Sequence, residues 1–255
     1  MIDPRHVLIT GASSGIGETL ALAYAAPSMR LALAGRDLAR LDAVAAACRA
    51  KGAEVQTTPL EVTDRAAVAS WLAAAHGAQP LDLVIANAGI SLSSADGETD
   101  DQARQVLAVN VDGVLNTLYP AIDLMLPRRR GQIAIMSSLA AFRGFSTAPA
   151  YCASKAAVKA LGEGMRALHR PHGIEISVIC PGFVRSRMTA RNKFPMPFLM
   201  DADRAAAIIK RGLARNLPRI VFPWQLHALL WLAMVLPARW TERIDRPRGG
   251  AAGMR

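Results

Sequence analysis

The chain is poor in the residues that build small stapled folds. Its 255 residues include three cysteines, Cys48, Cys152 and Cys180. They form no C-x-x-C unit and show no metal-ligand spacing, so a disulfide scaffold and a structural metal centre are excluded. Two of them lie inside apolar runs and read as small core residues. The default compartment is therefore a reducing one, the cytoplasm. The start of the chain runs directly into the apolar residues 7–9, which leaves no room for a signal peptide. Long apolar runs are missing too. The most apolar stretch, 220–237, is broken by Pro223, Gln225 and His227. What remains, 228–236, is far short of the ~20 residues that span a bilayer. Internal repeats are absent, and low complexity is confined to 246–255, a tail expected to be disordered.

Acidic residues are scarce in one region above all. The formal net charge is +10. From Arg204 onward Arg204, Lys210, Arg211, Arg215, Arg219, Arg239, Arg243, Arg246, Arg248 and Arg255 face only Glu242 and Asp245. Such an excess suits a polyanion. No nucleic-acid motif accompanies it, so no nucleic-acid partner is expected. The basic residues flank the apolar stretch, and a membrane surface fits them better.

What the chain does have is alternation. Strand-like runs at 7–9, 31–34, 54–57, 83–86, 133–136, 174–179 and 219–222 are separated by alanine-rich segments with apolar residues at helical spacing, such as Leu38, Leu41, Val44 and Cys48. The strand-like runs are apolar throughout, as strands covered on both faces must be. A repeated βαβ pattern predicts an α/β fold with one parallel, doubly wound sheet of about seven strands, a Rossmann fold. The length suits a single domain over 1–245. Ligands of such sheets sit at the carboxyl ends of the strands.

The candidate chemistry lies at those ends. Thr10-Gly-Ala-Ser-Ser-Gly-Ile-Gly17 follows the first strand and opens a helix. Glycines there let the backbone approach a pyrophosphate, and the helix N-terminus faces the anion. Asn87-Ala-Gly89 follows the fourth strand, and Ser138 ends the fifth, 13 residues before Tyr151. Tyr151 and Lys155 are four apart, on one helix face. An ammonium near a phenol favours the phenolate and lowers its pKa, and a tyrosine so tuned can exchange a proton with a carbonyl or alcohol oxygen. In order and spacing, these motifs strongly resemble the short-chain dehydrogenase/reductase family over roughly residues 5–190.

The resemblance implies roles. Tyr151 is the general acid/base, and Lys155 tunes it and holds the nicotinamide ribose. Ser138 orients the substrate, with Ser137 the poorer match by spacing. Asn110 carries a proton relay through water. Gly11, Ser13, Ser14, Gly15, Ile16 and Gly17 hold the pyrophosphate. Asn87, Ala88 and Gly89 shape the cofactor pocket, and Glu61 and Val62 pack on the adenine, although the family more often has Asp where this chain has Glu61. Pro181, Gly182, Val184 and Ser186 line the nicotinamide, Ser186 standing where threonine is commoner. No metal is implied. Cofactor choice turns on the end of the second strand. An acid there would hold the ribose of NAD, but the position is Gly35, and Arg36 matches the arginine of NADP-using members. Asp37 reads as a helix N-cap. Arg40 is either a surface charge or a further phosphate contact. NADP(H) is therefore favoured over NAD(H).

A lid is expected over about 185–215, apolar and rich in Met and Phe, implying a small carbonyl or alcohol substrate with apolar character. The apolar segment over about 220–240 has two readings. It is a helix buried against another subunit, in a homodimer or homotetramer. Or 224–240 lies in a membrane interface, with Trp224, Trp231 and Trp240 as anchors and Arg215, Arg219, Arg239 and Arg243 toward phosphates. The function implied is an NADP-dependent oxidoreductase interconverting ketone and secondary alcohol. The other classes are a cofactor-binding regulator without turnover and a membrane-surface scaffold.

Overall fold

In the computed structural model, residues 4–92, 98–192 and 194–236 are described. Seven strands form one parallel sheet in the order β3-β2-β1-β4-β5-β6-β7. They are β1 (His6–Thr10), β2 (Arg30–Gly35), β3 (Glu54–Pro59), β4 (Leu83–Ala86), β5 (Gly131–Met136), β6 (Ile174–Pro181) and β7 (Arg219–Phe222). Each run expected to be a strand is one. The helices are α1 (Gly15–Tyr24), α2 (Leu38–Ala50), α3 (Arg65–Ala78), α4 (Asp100–Leu107), α5 (Gly113–Met125), α6 (Pro149–His169), α7 (Ala202–Ala214) and α8 (Trp224–Val235).

The period-two alternation of strand side chains sends neighbours to opposite layers. Val7 and Ile9 join one buried cluster with Leu20 of α1, Leu41 of α2 and Ile209 of α7. Leu8 joins the other, with Leu72 of α3, Leu118 of α5 and Val158 of α6. Both faces are thus covered over the central strands; the edge strand β3, by contrast, is polar and exposed at Glu54 and Gln56, against the expectation of strands apolar throughout. Asp37 caps α2, accepting a hydrogen bond from the Arg40 N–H at 3.0 Å. Asp64 does the same for α3 through Ala67.

The strand order reverses between β1 and β4. The connections after these strands diverge to opposite faces and leave a crevice at their carboxyl ends. One expected element divides. Of the lid placed over 185–215, residues 202–214 form α7, whose Ala205, Ile209 and Leu213 are buried in the core. Only the stretch before it crosses the crevice, tied down where Met200 pairs with Val184 and the Arg185 N–H donates to the Met200 carbonyl at 2.8 Å. Among the described residues, no helix is long and apolar enough to cross a membrane. Arg239, Trp240, Arg243 and the tail 246–255 lie outside the described residues.

Candidate active site

A cavity of about 690 Å³ occupies the crevice. Its inner wall is mostly backbone. Gly11 has φ +66° and Gly15 φ +62°, a region that side chains other than glycine rarely adopt. A Cβ on Gly17 would stand 2.3 Å from the Gly11 carbonyl oxygen and 2.5 Å from Asn87 Nδ2. The turn therefore closes only with glycine. Asn87 locks it from across the sheet, its Nδ2 donating to the Thr10 carbonyl at 2.9 Å and the Gly11 carbonyl at 3.1 Å. The Thr10 hydroxyl accepts from the Asn87 and Ala88 N–H groups. This cradle, followed by the free N–H groups of α1, fits a dinucleotide pyrophosphate. Thr10 went unassigned in the sequence, because a hydroxyl closing a strand–strand junction has no local signature.

Deeper in the cleft, α6 brings Tyr151 and Lys155 opposite the end of β5. Lys155 is 3% exposed. Its Nζ donates to the Met136 carbonyl at 2.9 Å and lies 5.7 Å from the Tyr151 ring centroid. Burial pulls its pKa down to about 8. The Tyr151 hydroxyl and the Ser138 side chain meet on the wall of the cavity, close enough for Ser138 to favour the ionised phenol. Here the sequence expectation is corrected. Burial pushes the Tyr151 pKa up, and Ser138 offsets this only in part. The reason is geometric: the ammonium is spent on a backbone carbonyl, and desolvation of the phenolate dominates. The choice between the two serines follows from their partners. Ser137 is 1% exposed, and its hydroxyl donates to the Lys155 carbonyl at 2.8 Å, bracing α6. Ser138 faces Tyr151.

Asn110 sits in a π-helical turn, Ala108–Asp112, between α4 and α5. It is fully buried and does not line the cavity. Its Oδ1 accepts from the Ile90 N–H at 2.8 Å, and its Nδ2 donates to the Ile90 carbonyl and to the Ser154 hydroxyl. Both amide hydrogens are used, so this side chain pins the segment after Gly89 to α6. A Cβ on Gly89 would lie 3.1 Å from both Asn110 Oδ1 and Lys155 Nζ, so these three positions converge.

At the far rim, Arg36, Asp37, Arg40, Glu61 and Val62 line the cavity beside Ser13 and Ser14. A Cβ on Gly35 would come within 3.0 Å of Ser13 Oγ. A side chain where a ribose-binding acid would stand therefore fits only if Ser13 gives way. On the other side Pro181, Gly182, Val184 and Ser186 line the wall as expected, with Ser186 held against Thr189. The sequence did not single out most of the outer wall: Ile90, Leu139, Phe145, Phe183, Leu226 and Leu230, joined by Phe194. Leu226 and Leu230 come from α8, one turn apart. Much of the rest of that helix is exposed, Trp224 at 73% and Trp231 at 60%, while His227 packs its ring on Phe142. No group of His, Cys, Asp or Glu among the described residues could hold a metal ion.

The short chain dehydrogenase family matches residues 5–195. An uncharacterized oxidoreductase of Myxococcus xanthus is 40% identical over 235 residues, 91% of this chain and 93% of its own. A short-chain dehydrogenase from Sphingobium yanoikuyae, solved with NADPH, superposes with a TM-score of 0.80 at 28% identity, covering 97% of this chain and 98% of that one. A short chain dehydrogenase/reductase from Burkholderia phymatum, solved with NAD, gives a TM-score of 0.82 over 99% of this chain and 100% of its own; at 24% identity it speaks for the fold alone.

Proposed function

This chain belongs to the short-chain dehydrogenase family, and we propose that it uses NADP(H) to interconvert a ketone and a secondary alcohol of apolar, lipid-like character. The observation that carries the chemistry is the meeting of Tyr151 and Ser138 on the wall of the cleft, with Lys155 buried behind them. The residues around the cavity fit the cofactor: the glycine cradle admits a pyrophosphate, and no acid stands at Gly35 to select NAD. When bound, the cofactor supplies or accepts hydride at its nicotinamide. The protein's part is positional and protic. Ser138 holds the substrate oxygen. Tyr151, kept protonated by burial, gives that oxygen its proton when the carbonyl is reduced and takes it back when the alcohol is oxidised. Lys155 carries the compensating charge and reaches the ribose. Asn110 serves by bracing α6 and the segment after Gly89.

The outer wall supports the substrate class, since Ile90, Leu139, Phe145, Phe183, Phe194, Leu226 and Leu230 make it mostly apolar, with Arg187 on the lid side. The uncovered apolar faces of α8 support a peripheral contact with the inner face of the cytoplasmic membrane through 224–240. The alternative cover is a second subunit of a homodimer or homotetramer. The test is to titrate the purified protein with NADPH and NADH, then to assay steroid, retinoid, long-chain 3-keto and sugar carbonyls. Tighter NADPH binding and turnover of an apolar ketone are expected. Equal binding of both cofactors, or turnover confined to sugars, would overturn the reading.

A further inference from the structure

At the adenosine rim the sheet places a carboxylate where it competes with the cofactor. Gly35 of β2 is paired in register with Pro59 of β3. The Leu60 N–H then donates to the Gly35 carbonyl at 3.1 Å, the last bond before the strands separate. Arg36 and Glu61 follow just beyond the paired ends of their strands, so they leave the sheet side by side. The Arg36 Nη1 and Glu61 Oε2 stand 3.7 Å apart, both half-exposed on the cavity rim. The second arginine of the rim is tied in the same way: Arg40 Nη1 lies 2.8 Å from Asp37 Oδ2. Two guanidinium groups thus line the rim, each already matched by a carboxylate.

We infer that Glu61 restrains the preference for NADP(H): its carboxylate holds the Arg36 fork, and a 2′-phosphate gains Arg36 only by displacing it. This rests on the NADP reading and adds to it a residue that acts against that preference. Three features favour direct pairing over a general charge effect. The ends of the two strands leave the side chains as neighbours, 3.7 Å apart. The Glu side chain reaches one methylene, about 1.5 Å, farther than Asp would. And the exposed guanidinium has no second carboxylate within ion-pair distance among the described residues. A phosphate monoester carries close to two negative charges near pH 7, so it wins the exchange, but at reduced net affinity. NADH has no such group and leaves the pair intact.

Fluorescence titration of the full chain with NADPH and with NADH tests this without a substrate. Glu61→Gln should tighten NADPH about three- to five-fold, the scale of an exposed ion pair. The NADH titration carries any change in adenine packing, so the gain is read in the NADPH/NADH ratio. Glu61→Asp keeps the charge but shortens the reach, and should give a smaller gain of the same sign. In the Arg36→Ala background the gain from Glu61→Gln should fall to less than half. An unchanged NADPH/NADH ratio in Glu61→Gln, while Arg36→Ala collapses that ratio, overturns the inference and leaves the NADP reading standing. A gain that persists without Arg36 also overturns it, since the carboxylate would then be repelling the phosphate directly. If Arg36→Ala leaves the ratio untouched, the NADP reading itself fails, and the inference fails with it.

Discussion

The two halves of the cleft are made of different materials. The inner half is backbone: a turn closed by Gly11, Gly15 and Gly17, cross-tied by Asn87 and Thr10, with the N–H groups of α1 above it. Its cross-ties are bonded before anything arrives. The outer half is side chain: Leu139, Phe145, Phe183 and Phe194, with Leu226 and Leu230 of a helix that is otherwise largely exposed. The difference teaches where change is cheap. A backbone cradle admits almost no substitution, because a single Cβ collides with main chain. An apolar wall of rim residues can exchange one side chain for another and alter only what it holds.

The largest break in this comparison should come from Tyr151→Phe. It deletes one oxygen and leaves the cradle whole. Turnover should fall about 10²- to 10⁴-fold, the usual share of a positioned acid or base, while NADPH affinity stays within about two-fold. Turnover that survives would mean another group moves the proton. Gly17→Ala should act in the opposite sense. The added methyl must push apart the Gly11 carbonyl and the Asn87 amide. Such overpacking costs roughly 3 kcal/mol, about a hundredfold in cofactor affinity. A calorimetric titration showing parental affinity would mean the turn opens freely, and the contrast between the halves would lose its basis.

A smaller effect should appear in stability against pH. Lys155 is buried with no carboxylate partner among the described residues, and burial lowers its pKa to about 8 from 10.5. Its folded pKa is depressed, so between those two values the unfolded chain binds more protons than the folded one. Stability from this group therefore rises as pH climbs from about 8 toward 10.5, and the full cost of the buried charge is felt below 8. The difference in unfolding free energy between the parent and Lys155→Met should shift in the parent's favour over that window. A flat difference from pH 7 to pH 10 would show that the ammonium is not desolvated. The cofactor half thus carries a stability cost for its chemistry that the substrate half does not share.

The same division governs what the sequence discloses. The central strands were legible because burial on both faces leaves unbroken apolar runs, edge strand β3 by its place in the alternation, and the caps at Asp37 and Asp64 because capping is local. The cradle was legible because glycine is the only residue its φ values and close contacts allow. Geometry built from distant partners was not. Nothing near Asn110 announces a π-helical turn, or that its amide would be spent on Ile90 and Ser154. The first turn of α6 has no local side-chain cap; it is held by Glu98, whose Oε2 accepts from the Ala150 N–H at 2.8 Å across 52 positions of sequence. The spacing of Tyr151 and Lys155 told that they share a face, but not that burial would outweigh the ammonium. Leu226 and Leu230 were hidden in a helix apolar on every side, where no periodicity marks the two that face the cleft.

The smallest effect, and the sharpest test of the contrast, is at that helix. Leu230→Ala removes about three carbons from the outer wall. The neighbours of Leu230 along α8, Leu229, Trp231 and Leu232, are more than half exposed, so little core depends on it. A fully buried leucine would cost about 2–5 kcal/mol on truncation; here the destabilisation should stay near or below about 1 kcal/mol. NADPH affinity should not move, because α8 touches no part of the cradle. What should move is selectivity among apolar carbonyls. The KM for a long-chain ketone should rise by a few-fold, at about 0.8 kcal/mol for each methylene left unburied, with kcat unchanged, while a short ketone is indifferent. A drop in kcat instead would mean that α8 is coupled to Tyr151 and Ser138 through the Phe142–His227 ring pair, whose centroids lie 4.9 Å apart, and that the two halves of the cleft are less independent than their construction implies.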